Sequence, residues 1–235
     1  MIQPIKSFLE KVFKCRIYRY TLPQGTDLFM DLNRYFGLNQ FKTVFDIGAN
    51  IGQTALIYSK QFPRANIYSF EPVLTSYKAL TSVAESIPKI KVFNYGMGKT
   101  RSTCSINVNP VSRTSSILYA RPEDYKENIE INTVTDFCRE HQIDTIDFMK
   151  TDTEGYELEV LEGCRSLLEK QKIKFIIAEC EPFEKSEYFV SFQSLCELLN
   201  SFDYELFGIY EQQLHWDGKK SIMYMNPLFI CHELI

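Results

Sequence analysis

The chain has 235 residues, 45% of them hydrophobic and 14% aromatic, and a net charge of −4. That composition suits one globular domain with ample core material. It lends no support to nucleic-acid binding through overall charge, and it contains no apolar run near the ~18 residues that a membrane span needs. In chain order, Ile5, Phe8, Leu9, Val12 and Phe13 recur at helical spacing in the first twenty residues. Lys6, Lys11, Lys14, Arg16 and Arg19 against Glu10 give that segment a charge of +4. A basic amphipathic helix of this kind can meet a membrane surface or a partner. The expectation adopted is the plainer one, a helix packed on the domain with its cations in water. The segment lacks the continuous apolar stretch and cleavage site of a signal peptide.

Strand and helix patterns then alternate. Residues 43–49 read as a buried strand, 54–62 as a helix, 65–72 as a second strand ended by Pro72, and 75–87 as a helix with Pro88 beyond it. Residues 90–97 read as a third strand, 146–155 as strand and turn, 156–170 as a helix, 175–182 as a strand and 189–202 as a helix. Residues 204–210 and 221–233 read as a closing antiparallel pair. Strands alternating with helices imply βαβ units and a doubly wound, mostly parallel sheet. The stretch 99–130 interrupts the rhythm with Pro110, Pro122 and many Ser, Thr and Asn, and reads as a long functional loop. Seven cysteines without a C-x-x-C pair, and three histidines at no zinc-like interval from them, suggest reduced, mostly buried thiols in a cytoplasmic protein.

The stretch TVFDIGANIGQTALIYSK, residues 43–60, carries the chemistry. It spaces Asp46, Gly48, Asn50 and Gly52 at alternate positions between a strand and a helix. Glycine admits positive φ and close approach of a ligand, and asparagine is the residue next most tolerant of that conformation. In an open parallel sheet, ligands bind beyond the carboxyl ends of the strands, beside helix N-termini. The spacing departs from the G-x-G-x-x-G of dinucleotide sites, which argues against a nicotinamide oxidoreductase. Glu71 follows Asp46 by 25 residues, at the end of the second strand, where a carboxylate can accept hydrogen bonds from two ribose hydroxyls.

DIGANIG, the EP at 71–72 and KTDTEGYE at 150–157 together resemble the signatures of the FkbM family of methyltransferases. NYGMG (94–98) and TSSIL (114–118) also look like family segments, and the resemblance covers roughly residues 40 to 182. It implies the class I methyltransferase (Rossmann-like) fold, a seven-stranded sheet with one reversed strand. Length and pattern suggest a single methyltransferase domain over 1–235, with residues 1–40 as an N-terminal helical extension and 99–130 as a substrate-side insertion. The implied cofactor is S-adenosylmethionine, with S-adenosylhomocysteine as product. The implied acceptor is a small molecule or glycan, methylated on a sugar or secondary-metabolite hydroxyl, with no nucleic acid and no membrane span involved.

Carried onto this chain, the resemblance puts Asp46 near the turn or the methionine amine, and Gly48, Ala49, Asn50 and Gly52 against the methionine portion. Glu71 would hold the ribose. Pro72 and Val73 would lie against the adenine, and Met97 and Gly98 along its edge. Asp152 and Glu154 fall beside the expected methyl and are the first candidates for general base, with Lys150 as an ion-pair partner. Glu179 and Glu181 are a second pair, one of which, Glu181, joins the catalytic set, and His215 is a third candidate. Ser115, Ser116, Tyr119 and Trp216 are candidates to touch the acceptor. A divalent ion among the carboxylates is possible but not specified by any spacing. Carboxylate methylation and a non-catalytic nucleoside-binding module are the alternatives.

Overall fold

The computed structural model describes residues 3–18, 22–109, 115–183 and 188–235. Parts of the 1–40 extension and of the 99–130 excursion, including Pro110 and the Thr114 of TSSIL, lie outside the described residues. The chain runs through α1 (Gln3–Phe13), α2 (Leu28–Tyr35), β1 (Thr43–Ile47), α3 (Gln53–Gln61), β2 (Asn66–Phe70), α4 (Leu74–Ala84) and β3 (Ile90–Phe93). Next come β4 (Gly96–Met97), β5 (Ser102–Val108), β6 (Ser115–Ser116), β7 (Tyr125–Asn132) and α5 (Val134–Glu140). The last third holds β8 (Ile146–Thr151), α6 (Glu157–Glu162), α7 (Arg165–Leu168), β9 (Ile173–Ala178), α8 (Phe192–Asn200), β10 (Tyr204–Leu214) and β11 (Ile222–Cys231).

Seven strands form one sheet in the order β10-β11-β9-β8-β1-β2-β3. The β1, β2, β3, β8 and β9 pairings are parallel, while β11 runs antiparallel to both β9 and β10. This is a doubly wound, mostly parallel sheet with one reversed strand and a C-terminal hairpin, as the sequence pattern led one to expect. Side chains alternate across it, so consecutive residues of β1 enter different cores. Phe45 and Ile47 join the face covered by α5, α6, α7 and α8, whereas Val44 joins the face covered by α2, α3 and α4. Strands buried on both faces read as continuous apolar runs, which is why β1, β8 and β9 were visible in sequence.

One ring anchors the first face. Phe137 of α5 is fully buried, and its centroid lies 4.9 Å from both Phe70 and Phe93 and 5.5 Å from Phe45. Three strands therefore share it. Phe137→Ala is expected to cost about 3–5 kcal/mol. Calorimetry should show the melting temperature lower by about 10 °C.

Four sequence expectations need correcting. The stretch read as a long loop is built around a second sheet, of order β4-β7-β5-β6. Ile106, Val108, Ile129 and Ile131 alternate with polar residues, and they bury together with Val73 as a third core. The expected third strand breaks after Phe93, because the Asn94 amide donates to the Glu71 and Pro72 carbonyls (3.0 and 2.9 Å) and turns the chain toward that second sheet. The helix expected over 156–170 is split into α6 and α7, with Gly163 at the break, where a Cβ would overlap the Gly98 carbonyl oxygen. Finally, α1 does not pack its apolar side: Ile5, Phe8, Val12 and Phe13 are 54–69% exposed.

Candidate active site

Three strand ends meet at the site. Beyond β1 the backbone takes left-handed φ at Gly48 (80°), Asn50 (48°) and Gly52 (93°), so Asn50 occupies a position that would otherwise favour glycine. The turn is stitched to β2: Gly48 and Ala49 N–H groups donate to the Phe70 carbonyl (3.1 and 3.0 Å), and the Asn50 N–H donates to Glu71 Oε2 (2.9 Å). Glu71 Oε1 accepts from the Val73 N–H (2.9 Å). On the other side the Asp152 N–H donates to the Ile47 carbonyl (3.0 Å), tying β8 to β1.

The glycines also serve packing. A Cβ at Gly48 would overlap the Asp152 carbonyl oxygen, and one at Gly52 would lie 3.0 Å from Leu80. Both are needed first for packing and for positive φ. The N–H groups of Gly48, Ala49, Asn50 and Gly52 are bonded inside the turn. The donors left facing a ligand come from the first turn of α3, whose N–H groups have no intrahelical acceptor. Gln53 and Thr54 of that turn line the cavity. Gly48→Ala is therefore expected to lower stability by more than about 3 kcal/mol and to remove ligand binding together, because the obstacle is backbone rather than a movable side chain. Denaturant titration and ligand titration of the same sample check both effects.

The turn floors a cavity of about 320 Å³, in the size range of small-ligand sites. Of the residues expected from sequence, Gly48, Ala49, Asn50, Glu71, Pro72, Met97, Asp152 and Glu154 line it, as does Lys150. Asp46, Gly52 and Gly98 stand behind the wall. Ile106 and Ile131 of the second sheet, Ile117 just after β6, and Tyr156 also line it. Those four were missed in sequence. The period-two alternation of Cys104, Ile106 and Val108 was the available signal for Ile106.

The electrostatics divide the site into two ends. At one end Glu71 is 6% exposed, and its pKa is pushed up to about 7 by burial, against the pull of its two backbone donors. At the other end Lys150 Nζ sits 2.8 Å from Asp152 Oδ2 and 4.0 Å from Asp46 Oδ1. Burial works against the Lys150 charge, but Asp152 and Asp46 outweigh it and raise its pKa. Asp46 is fully buried, neither of its oxygens has a hydrogen bond among the described residues, and burial lifts it to about 6.

Glu154, which lines the cavity, has φ 54° and is followed by Gly155 at 98°. Its Oε2 accepts from the Tyr119 hydroxyl (2.9 Å), and its carbonyl accepts from Ser116 Oγ (3.0 Å). Burial first, then the neighbouring Asp152 charge, raises its pKa. Glu179 is raised further by burial and by Asp152 and Glu154. Glu157, the last acid of KTDTEGYE, is buried and held by the Thr153 N–H and hydroxyl (2.6 and 2.8 Å), with its pKa lifted to about 7 by burial.

Ser115 lines the cavity, and Ser116 and Tyr119 bond to Glu154 at its edge, but Glu181, His215 and Trp216 lie elsewhere. Glu181 and His215 line a second cavity of about 350 Å³, with Phe183 and Phe189, beyond β9 and the β10–β11 hairpin. Strand pairing carries on past Ala178, with the Glu179 N–H donating to the Thr151 carbonyl (3.1 Å) and Cys180 bridged to Met225, and Glu181 lines the second cavity while Glu179 lines neither. Trp216 is 78% exposed and lines neither cavity. Among the described residues no group of three His, Cys, Asp or Glu side chains is arranged to hold a metal ion.

Comparison with known proteins places this geometry. The chain is 27% identical over 139 residues to the hexuronic acid methyltransferase AglP of Haloferax volcanii, covering 58% of this chain and 54% of that one. It is 26% identical over 153 residues to the methyltransferase sdnD of Sordaria araneosa, covering 51% and 59%. The chain thus spans little more than half the length of these curated relatives. Among solved structures it is similar to M. capricolum TrmK in complex with S-adenosylhomocysteine (14% identity, 84% of this chain and 68% of that one, TM-score 0.47). It is also similar to Aeropyrum pernix fibrillarin in complex with S-adenosylmethionine (14% identity, 81% and 66%, TM-score 0.47). The Methyltransferase FkbM domain matches residues 46–206, more than half of the chain and all three strand ends that build the cavity, and the chain belongs to that family.

Proposed function

We propose that the chain is an S-adenosylmethionine-dependent O-methyltransferase acting on a hydroxyl of a sugar or secondary metabolite. The observation that carries this reading is the division of one cavity into a ribose-sized carboxylate end at Glu71 and an acidic end at Asp152 and Glu154. The residues present fit the cofactor. Each Glu71 oxygen spends one lone pair on a backbone N–H, which leaves the others free to accept from vicinal hydroxyls. Pro72, Met97 and Ile131 offer apolar walls for a purine, and the first turn of α3 offers N–H groups for a carboxylate. Gly52 and Gly98 support that wall from behind. Bound there, S-adenosylmethionine supplies a methyl carbon activated by a sulfonium.

The chain's own part is to align the acceptor oxygen and take its proton. Glu154 takes the proton on Oε1 while the Tyr119 hydroxyl holds Oε2. Asp152 is fixed by Lys150, which Asp46 steadies from behind. Ile106, Ser115 and Ile117, in the 99–130 segment, wall the acceptor side of a single catalytic unit. Glu181 and His215, facing the second cavity, are given no step.

A relative named for hexuronic acid supports a sugar-type acceptor. A sugar acid offers both hydroxyls and a carboxylate, and the acidic end of the cavity separates the two. The Asp152 carboxylate, and Glu154 once ionised, disfavour an anionic acceptor and suit a neutral hydroxyl that must lose a proton. Incubation with methyl-labelled cofactor and a panel of glycosides, sugar acids and polyketides tests this. Label that survives mild alkali is an ether and supports hydroxyl transfer. Label released by alkali is an ester and favours carboxylate transfer instead.

A further inference from the structure

We propose that α1 is an interfacial helix that holds this chain on anionic lipid surfaces, lying along the membrane rather than crossing it. The proposal stands on residues outside the cavity and is independent of the acceptor. Ile5, Phe8, Val12 and Phe13 are 61%, 66%, 54% and 69% exposed, although all are large and apolar. None of the α1 residues belongs to the three cores among the described residues. An isolated helix of eleven residues is marginal in water, so its apolar side calls for a partner.

The arrangement of charge indicates which partner. At about 100° per residue, Ile5, Phe8, Leu9, Val12 and Phe13 fill an arc of about 140°. Lys6 stands about 20° outside one edge and Lys11 about 60° outside the other, and Lys14 and Arg16 follow the helix. Cations that border an apolar arc on both sides reach the phosphate level when that arc lies in the acyl region. The one acid, Glu10, is already engaged: Oε1 accepts from the Ile17 N–H (2.8 Å) and lies 3.8 Å from Lys6 Nζ. The segment carries +4, while the rest of the chain carries −8. A second copy of the helix would set +4 against +4, whereas an anionic leaflet offers the complementary charge. No helix of the described residues is long and apolar enough to cross a membrane, which fits a helix lying on the surface.

Flotation of the whole chain with vesicles tests the idea. One set is phosphatidylcholine alone, and the other contains one third phosphatidylglycerol. The expected result is flotation with the anionic vesicles only, at least tenfold weaker when salt is raised from about 0.1 M to about 0.5 M. Phe8→Glu with Val12→Glu should abolish it, and Lys6→Gln with Lys11→Gln should weaken it several-fold. Both variants should keep the wild-type melting temperature and the wild-type affinity for S-adenosylhomocysteine. Absence of flotation, or equal flotation of the Phe8→Glu, Val12→Glu variant, would overturn the proposal. So would a dimer in sedimentation that this variant dissolves, since the helix would then pair with its own copy. A melting temperature lowered by several degrees would show that α1 covers its own domain instead.

Discussion

Glu154→Gln is expected to lower the rate of methyl transfer by about a hundred- to ten-thousand-fold while leaving cofactor affinity within a factor of about three. The amide keeps the size of the carboxylate and can still accept from the Tyr119 hydroxyl, so the turn at Glu154 and Gly155 should hold. What it lacks is the ability to take a proton. A single-turnover measurement with preloaded cofactor isolates that step from acceptor binding. The wild-type rate should climb with pH through the raised pKa of Glu154, whose burial and proximity to Asp152 favour the protonated form at low pH. In the variant that slope should vanish. A rate within tenfold of wild type would mean that another group, or solvent, removes the proton.

Glu71→Gln is expected to weaken S-adenosylhomocysteine binding by about a hundredfold or more. Two hydrogen bonds to a charged acceptor are at stake, each worth about 1.5–3 kcal/mol. The amide also turns one of its faces into a donor opposite a backbone N–H, either that of Asn50 or that of Val73, which loosens the turn from β2. The same carboxylate sets a pH dependence with a definite sign. Its pKa in the ligand-free protein is raised from 4.5 to about 7, so the folded state holds a proton that the unfolded state has lost. Stability of the ligand-free chain therefore falls as pH rises from about 4.5 to about 7. Ribose hydroxyls donate to the ionised form, so ligand affinity rises over the upper part of the same range and binding releases a proton. Titration calorimetry in buffers of different ionisation enthalpy reads that proton directly. Glu71→Gln should flatten the affinity curve and reduce the slope of the stability curve, to which Asp46 and Glu157 also contribute. An affinity in the variant close to wild type would remove Glu71 from the ribose.

The features legible in sequence were those that a strand end imposes. Asp46, Glu71 and Asp152 are acids placed where apolar strands stop, and a charge there stands out against a run of Val, Ile and Phe. Asn50 was legible because few residues other than glycine accept its φ. The division of labour was not legible. Asp46 and Asp152 look alike in sequence, yet one is sealed behind the wall and the other lines the cavity, a difference made by Lys150 reaching between them. The second sheet hid because Ile106, Ile129 and Ile131 are spaced among Ser, Asn and Glu, so its strands resemble a polar loop until they pair. Glu181 misled because an interval from Glu179 does not say which cavity a side chain lines, and Glu181 lines the second one. For α1 the periodicity was plain, but periodicity names an apolar face without naming what covers it.

The most direct measurement is diffraction from crystals grown with S-adenosylhomocysteine. The ribose hydroxyls should lie within hydrogen-bond distance of the Glu71 carboxylate, with the sulfur toward Asp152 and Glu154. Density for the nucleoside away from Glu71, or in the cavity beside Glu181 and His215, would contradict the assignment of the site.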